Sequence, residues 1–267
     1  MSTATAPVAL DVAQTSRVPF GRLVRVELRK LFDTRAGRWL LISIALVTLI
    51  VLAIQLAVVV GQNVDAKYTD FMQGANAPMA ILLPVLGIMS VTSEWSQRTG
   101  MVTFTLEPSR LRVMAAKFAS VILVSLGALV VGLLLGALAN VLYGAFTGDT
   151  LVWGSFGKIV VTYFTAWVLG MATGFAFGAV FLNSAAGIVL YFVYSFVLPT
   201  IFGIGAALMD WFHSLQPWID FNFSQQPLLD ASIHGAKEWG QLMTSGLIWL
   251  VLPLLFGLWR IQRAEVK

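Results

Sequence analysis

The sequence predicts an all-α polytopic membrane protein with six transmembrane helices. Of its 267 residues, 58% are hydrophobic and only 11% are charged, whereas soluble domains carry about 25% charged residues. A helix needs about 20 apolar residues to cross a bilayer. Six segments reach or approach that length, and they are residues 39–60, 77–93, 118–143, 159–182, 185–209 and 242–259.

The distribution of Lys and Arg predicts that both termini are cytoplasmic. With six spans, seven basic residues precede residue 39, four lie in the connection 94–117 and three follow residue 259. These 14 share one side of the membrane, and the other side holds Lys67, Lys158 and Lys237. Cytoplasmic loops carry the excess of basic residues. An odd number of spans would break this rule by placing the C-terminal cluster outside.

Two regions precede the transmembrane domain, which we expect over residues 39–267. Residues 1–16 are expected to be disordered, and residues 17–38 to form an amphipathic interfacial helix. At 100° per residue, the apolar and basic side chains of this helix fall on opposite faces. The apolar set is Phe20, Val24, Leu28 and Leu31, and the basic set is Arg22, Arg25 and Arg29. Such a helix suits the headgroup layer, and its position directly before a span favours that placement over packing as a soluble helix.

One dense polar segment, residues 94–117, separates two apolar runs that contain no ionisable residue. Glu94 and Arg98 are four residues apart, which predicts that they pair on one face of a short helix. Pro108 limits how far that helix can extend. Three basic residues then lead into the next apolar run: Arg110, Arg112 and Lys117. By charge alone the segment is either an ordinary cytoplasmic loop or a docking site.

The order of residues in this segment resembles the cytoplasmic loop of the ABC-2 type permease family, the membrane subunits of bacterial ATP-driven exporters. The matching positions are Glu94, Arg98, Thr99, Gly100, Leu106, Pro108, Ser109, Arg110 and Lys117. Residues 26–41 resemble the amphipathic entry into the first span of that family. The resemblance implies that the loop is a coupling helix that docks into a separate cytoplasmic ATPase. ATP and Mg would then bind to that partner, and this chain would carry no cofactor of its own.

The six predicted spans contain no Asp, Glu, Lys, Arg or His. Ion-coupled carriers usually keep an ionisable group inside the membrane, so secondary transport is disfavoured. Sodium coupling through helices broken at Pro84, Pro199 or Pro253 stays open. Small residues also recur at intervals of four, which allows close helix packing. They are Gly132 and Gly136 in the third span and Gly170, Gly174 and Gly178 in the fourth.

The outer connection, residues 210–241, mixes aromatic and acidic residues in a way typical of segments at the headgroup level. The aromatic side chains of its first half are Trp211, Phe212, Trp218, Phe221 and Phe223. The family resemblance implies that they form a lid over the exit route. An aromatic belt that anchors the last two spans is an equal alternative.

The chain lacks the catalytic residues that the common classes of membrane protease require. It has no HExxH motif, no intramembrane Asp pair, no His within a span and no cysteine, which excludes the corresponding membrane proteases and thiolate metal sites. It also lacks the phosphate-binding G-x-x-x-x-G-K-[ST] motif. We therefore expect a permease that pairs with a second copy or a sister permease. The alternatives are a channel or ion-coupled carrier, and a non-transporting membrane scaffold.

Overall fold

The computed structural model describes residues 18–97, 99–229 and 235–264. Two expectations, disorder of residues 1–16 and pairing of Arg98 with Glu94, involve residues outside this part of the chain. All of the regular secondary structure in the described residues is helical. These elements are α1 Phe20–Asp33, α2 Arg35–Gly61, α3 Tyr68–Ser96, α4 Gly100–Leu106, α5 Arg110–Thr147, α6 Phe156–Phe181, α7 Ser184–Phe192, α8 Leu198–Leu208, α9 Asp210–Ile219, α10 Phe221–Ser224, α11 Gln226–Leu229, α12 Ala236–Gly246 and α13 Leu252–Arg263.

Six helices are long and apolar enough to cross a membrane, which confirms the predicted number of spans. They are α2, α3, α5, α6, the continuous helix Ser184–Leu208 and the continuous helix Ala236–Arg263. Several extend beyond the apolar segments. In particular, α3 has 29 residues and α5 has 38, because polar residues at their ends stay helical where other helices cover them.

The second and fourth spans, α3 and α6, form the centre of the bundle, and the other spans surround them. Trp167 and Phe175 of α6 and Met79 and Leu86 of α3 are almost completely buried there. The indole of Trp167 donates to Asn76 at 2.8 Å. The core of the domain is therefore the seam between these two helices, closed on one side by α5.

Glycines allow the backbones of α3 and α6 to touch. A Cβ at Gly174 would overlap the carbonyl oxygen of Pro84, and one at Gly178 would lie 2.8 Å from the carbonyl oxygen of Ile88. The glycine spacing thus serves contacts within one chain. Such close approach is the usual role of small residues where lipid offers no hydrophobic driving force between helices.

We expect Gly174→Ala to destabilise the domain by about 1–3 kcal/mol, because the new methyl group must push two packed backbones apart. The measurement is thermal unfolding of the purified protein in mild detergent. Gly203→Ala is the matched control, since a Cβ at Gly203 meets no atom within 4 Å. Equal midpoints for the two variants would contradict the close packing of α3 on α6.

The fifth and sixth spans each contain a π-helical turn, at Val193–Val197 and Leu247–Val251. Each turn lies just before a proline, Pro199 or Pro253. Proline has no N–H and its ring clashes with the carbonyl four residues earlier, and widening the helix by one residue relieves that clash. Both spans therefore continue through their prolines and are not broken there.

Candidate functional site

Four charged side chains from three helices form a buried cluster at the end of the bundle where α1 meets the second and third spans. Lys30 Nζ lies 2.7 Å from Glu27 Oε1 and 2.9 Å from Glu94 Oε1. Lys117 Nζ lies 2.5 Å from Glu27 Oε2 and 3.3 Å from Glu94 Oε1. The two carboxylates and two ammonium groups balance each other. We call these four residues the charge cluster.

The charge cluster is shielded from solvent to a degree unusual for ionised groups. Lys117 is 1% exposed, Glu94 2% and Glu27 6%. Removing such groups from water costs several kcal/mol each, and the mutual attraction offsets this only while every partner is present. The cluster therefore holds three helices in one arrangement: α1 through Glu27, α3 through Glu94 and α5 through Lys117.

Lys30 is the least buried member, with 36% of its side chain exposed. Burial alone would lower its pKa, but the attraction of Glu27 and Glu94 outweighs burial and the pKa is raised. Lys30 thus stays charged at neutral pH. The pKa of Lys30 is higher in the folded protein than in the unfolded chain. Its charge therefore stabilises the fold fully at pH values below the unfolded pKa, and this stabilisation is lost as the pH rises through the folded pKa.

The short helix α4 lies beside the charge cluster and presents an apolar face to the outside. Its Thr103 hydroxyl accepts from Lys30 Nζ at 3.5 Å. Three large apolar side chains point away from the protein: Met101 is 57% exposed, Val102 64% and Leu106 75%. We call these three residues the α4 face. One side of α4 therefore contacts the cluster while the other is exposed.

One expectation about the polar segment is wrong. Glu94 does not lie on the short loop helix, because it is buried near the end of α3, and the loop helix begins only at Gly100. Of the basic residues that lead into the third span, Lys117 is buried, because α5 begins at Arg110 and carries Lys117 into the bundle. Both residues are drawn inside by charged partners on other helices.

The other predicted docking residues fall into two groups. Thr99, Leu106, Pro108 and Ser109 are exposed, and Gly100 is buried. The guanidinium of Arg110 donates to the carbonyl oxygens of Ile261 at 2.6 Å and Ala264 at 2.8 Å, and it lies over the ring of Phe104 at 5.2 Å. Arg110 therefore ties α4 to the end of the sixth span, so its charge is used inside the fold.

The amphipathic helix is present as α1, and Arg22, Arg25 and Arg29 are exposed on it as the helical pattern predicts. An elbow joins it to the first span. The hydroxyl of Thr34 accepts from the backbone N–H of Gly37 at 3.2 Å, and a Cβ at Gly37 would overlap the carbonyl oxygen of Leu31.

Two members of the charge cluster, Glu27 and Lys30, were not predicted from the sequence. The available signal was Glu27, an acidic residue on the apolar side within about 20° of Phe20.

The outer connection folds into the short helices α9, α10 and α11. Of the predicted lid residues, Phe221 is buried, Phe212 and Trp218 are half-buried, and Trp211 and Phe223 are exposed. Phe212 packs on Phe202 of the fifth span, with ring centroids 5.9 Å apart. These aromatic side chains thus serve the packing of the outer helices or face outward.

A chamber of about 220 Å³ lies under the outer helices, between the second, fourth and fifth spans. Polar side chains of the connection close it, namely Asn222, Gln225 and Gln226, and they face Trp167, Tyr191 and Tyr194. The described residues that line the chamber are all uncharged. The connection therefore covers the chamber mainly with amide side chains, and the aromatic pattern of the sequence does not indicate them.

Comparison with known proteins identifies a family for this chain. The model of a family described as ABC-2 family transporter protein matches residues 23–198. That stretch covers most of α1, the charge cluster, α4 and the spans as far as the start of α8. A search of curated proteins gives no match. Since the family model covers more than half of the chain, the protein belongs to the ABC-2 family of membrane transporter proteins.

Proposed function

We propose that the chain is the permease subunit of an ATP-binding cassette exporter in the bacterial cell membrane. A separate cytoplasmic ATPase docks on the α4 face and supplies the ATP and Mg chemistry. A second copy of the chain or a sister permease completes the pathway. The observation that supports this proposal is the contact of α4 with the charge cluster, because that contact links a surface helix to two spans.

The α4 face has the chemistry of a protein-binding surface. Isolated exposed apolar residues are normal, but Met101, Val102 and Leu106 lie together on one seven-residue helix. The same helix is held from behind by Thr103 and by Phe104, which packs on Trp95 at 6.1 Å between ring centroids. A rigid helix with an apolar face suits a groove on a partner.

Force applied to α4 would travel through the charge cluster. A push on this helix reaches Lys30 at Thr103, then Glu94 in the second span and Lys117 in the third through Glu27. Separating buried charges of opposite sign costs several kcal/mol, because no water replaces the lost partner. The three helices therefore move as one body, so closure of the ATPases tilts the spans and opens the pathway on the outer side.

The chamber and the short helices α9 to α11 lie at the opposite end of the bundle from α4. We assign them to the exit side, with the connection acting as the lid. A neutral lining disfavours proton or ion coupling, because such coupling usually needs an ionisable group inside the membrane. An ATP-driven mechanism needs none.

Topology gives a direct test of this arrangement. The chain has no cysteine, so single-cysteine variants report one site each. In intact cells, an impermeant maleimide should label Asp65→Cys and Thr150→Cys but spare Ser109→Cys, which should react only after permeabilisation. All three positions are exposed in the structure. Labelling of Ser109→Cys from outside would place α4 away from any cytoplasmic ATPase and overturn the proposal.

A further inference from the structure

A groove of about 660 Å³ opens on the side of the bundle between the first and third spans. Its walls are apolar side chains of α2 and α5, its floor is formed by Met79 and Leu83 of the second span, and Leu28 and Phe32 of α1 stand at its mouth. Its volume lies within the range of about 300–1,000 Å³ typical of small-molecule sites.

One charged residue, Arg38, lines this groove, and it lies at the end nearest α1. Arg38 is exposed and has no acidic partner among the described residues. The groove is therefore apolar along its length and basic at one end.

The depth of the groove matches one leaflet of a bilayer. From Arg38 to Ala45 the lining spans seven residue-to-residue rises of α2, and from Leu123 to Val131 it spans eight such rises of α5. At 1.5 Å per residue these stretches are about 10 and 12 Å long. Half of the hydrocarbon core is about 15 Å thick, so an acyl chain entering at Arg38 would end near the bilayer centre.

From the apolar walls, the depth and the single arginine, we infer that this groove is a binding site for an anionic phospholipid of the leaflet on the α1 side. Its acyl chain lies between the first and third spans, and its phosphate contacts Arg38. Arginine binds phosphate oxygens through paired hydrogen bonds. This site is independent of ATPase docking, because it lies on the lipid-facing side and contains no residue of α4.

Glycine leaves the space that the lipid occupies. A Cβ at Gly127, in the wall formed by α5, meets no atom within 4 Å. Gly127→Leu should therefore fill the groove without disturbing the packing of the bundle. Gly203→Leu is its matched control, because Gly203 also faces open space in a span but does not line the groove.

The test is photo-crosslinking in phosphatidylcholine vesicles that contain a photoactivatable phosphatidylglycerol or phosphatidylcholine, with labelled peptides mapped by mass spectrometry. Peptides of α2 and α5 should take up phosphatidylglycerol about fivefold more than phosphatidylcholine, the factor expected for one cation near an anionic group. Arg38→Gln should abolish this preference, and Gly127→Leu should reduce labelling by both lipids. Arg35→Gln and Gly203→Leu should label like the unaltered chain.

Three results would overturn the inference: equal labelling by the two lipids, a preference that survives Arg38→Gln, or full labelling of Gly127→Leu. Covalent dimers formed by Gly127→Cys in the membrane would also overturn it, since a second copy would then cover the groove. Size-exclusion chromatography of each variant checks that the bundle is folded. None of these results depends on an ATPase, so the proposed function can fail while the lipid site stands.

Discussion

Replacing Lys117 with methionine is expected to lower the free energy of unfolding by about 3–5 kcal/mol. The change leaves Glu27 and Glu94 with only Lys30 between them, and a buried charge that loses its partner costs about this much. Thermal unfolding in mild detergent measures the loss. Lys158→Met is the control, because Lys158 is exposed at the other end of the bundle.

A double variant separates the charge effect from lost packing. Lys117→Met together with Glu27→Leu removes one charge of each sign and leaves Lys30 paired with Glu94 at 2.9 Å. The double variant should therefore be more stable than the sum of the two single changes predicts, by about 0.5–3 kcal/mol. Strict additivity would show that the four side chains do not act as one charge cluster.

Introducing a charge on the α4 face is expected to weaken binding of the ATPase strongly while leaving the fold intact. Val102→Asp places a carboxylate on a side chain that is 64% exposed, so the free chain loses little stability. In a docked complex the same carboxylate would be buried without a partner, and central interface positions lose about 2–4 kcal/mol when altered. The affinity should fall by about 30-fold to 1,000-fold.

The control for this change is Val152→Asp. Val152 is 43% exposed in the connection between α5 and α6, at the opposite end of the bundle. Titration of the purified ATPase against each variant in nanodiscs gives the two affinities. If Val102→Asp binds as tightly as the unaltered chain, the ATPase docks somewhere other than the α4 face.

The spans could be predicted from sequence because hydropathy and length depend on local composition alone. The same holds for the exposed arginines of α1, whose spacing fixes their face of the helix. Contacts between segments that are distant in the sequence could not be predicted. Glu27, Glu94 and Lys117 are separated by many residues, and only the packing of α1 and α3 on α5 brings them together. Without that contact, Glu94 looked like a surface residue.

The sequence predicted a short helix between the second and third spans, but it divided this segment wrongly between helices. Pro108 did end the short helix region, because α4 stops at Leu106. Its start was misplaced, since charge alone could not show that α3 carries Glu94 into the protein. The chamber was missed for a related reason. Asn222, Gln225 and Gln226 look like ordinary loop residues until the outer helices fold over the spans.

The most direct test of the central claim is purification of the tagged chain from its own cells in mild detergent, followed by mass spectrometry and an ATP hydrolysis assay. The account predicts that a polypeptide with the phosphate-binding motif G-x-x-x-x-G-K-[ST] and ATPase activity co-purify with the unaltered chain and with Val152→Asp. Both should be lost with Val102→Asp. Recovery of the folded chain without any such polypeptide or ATP turnover would contradict an ATP-driven permease.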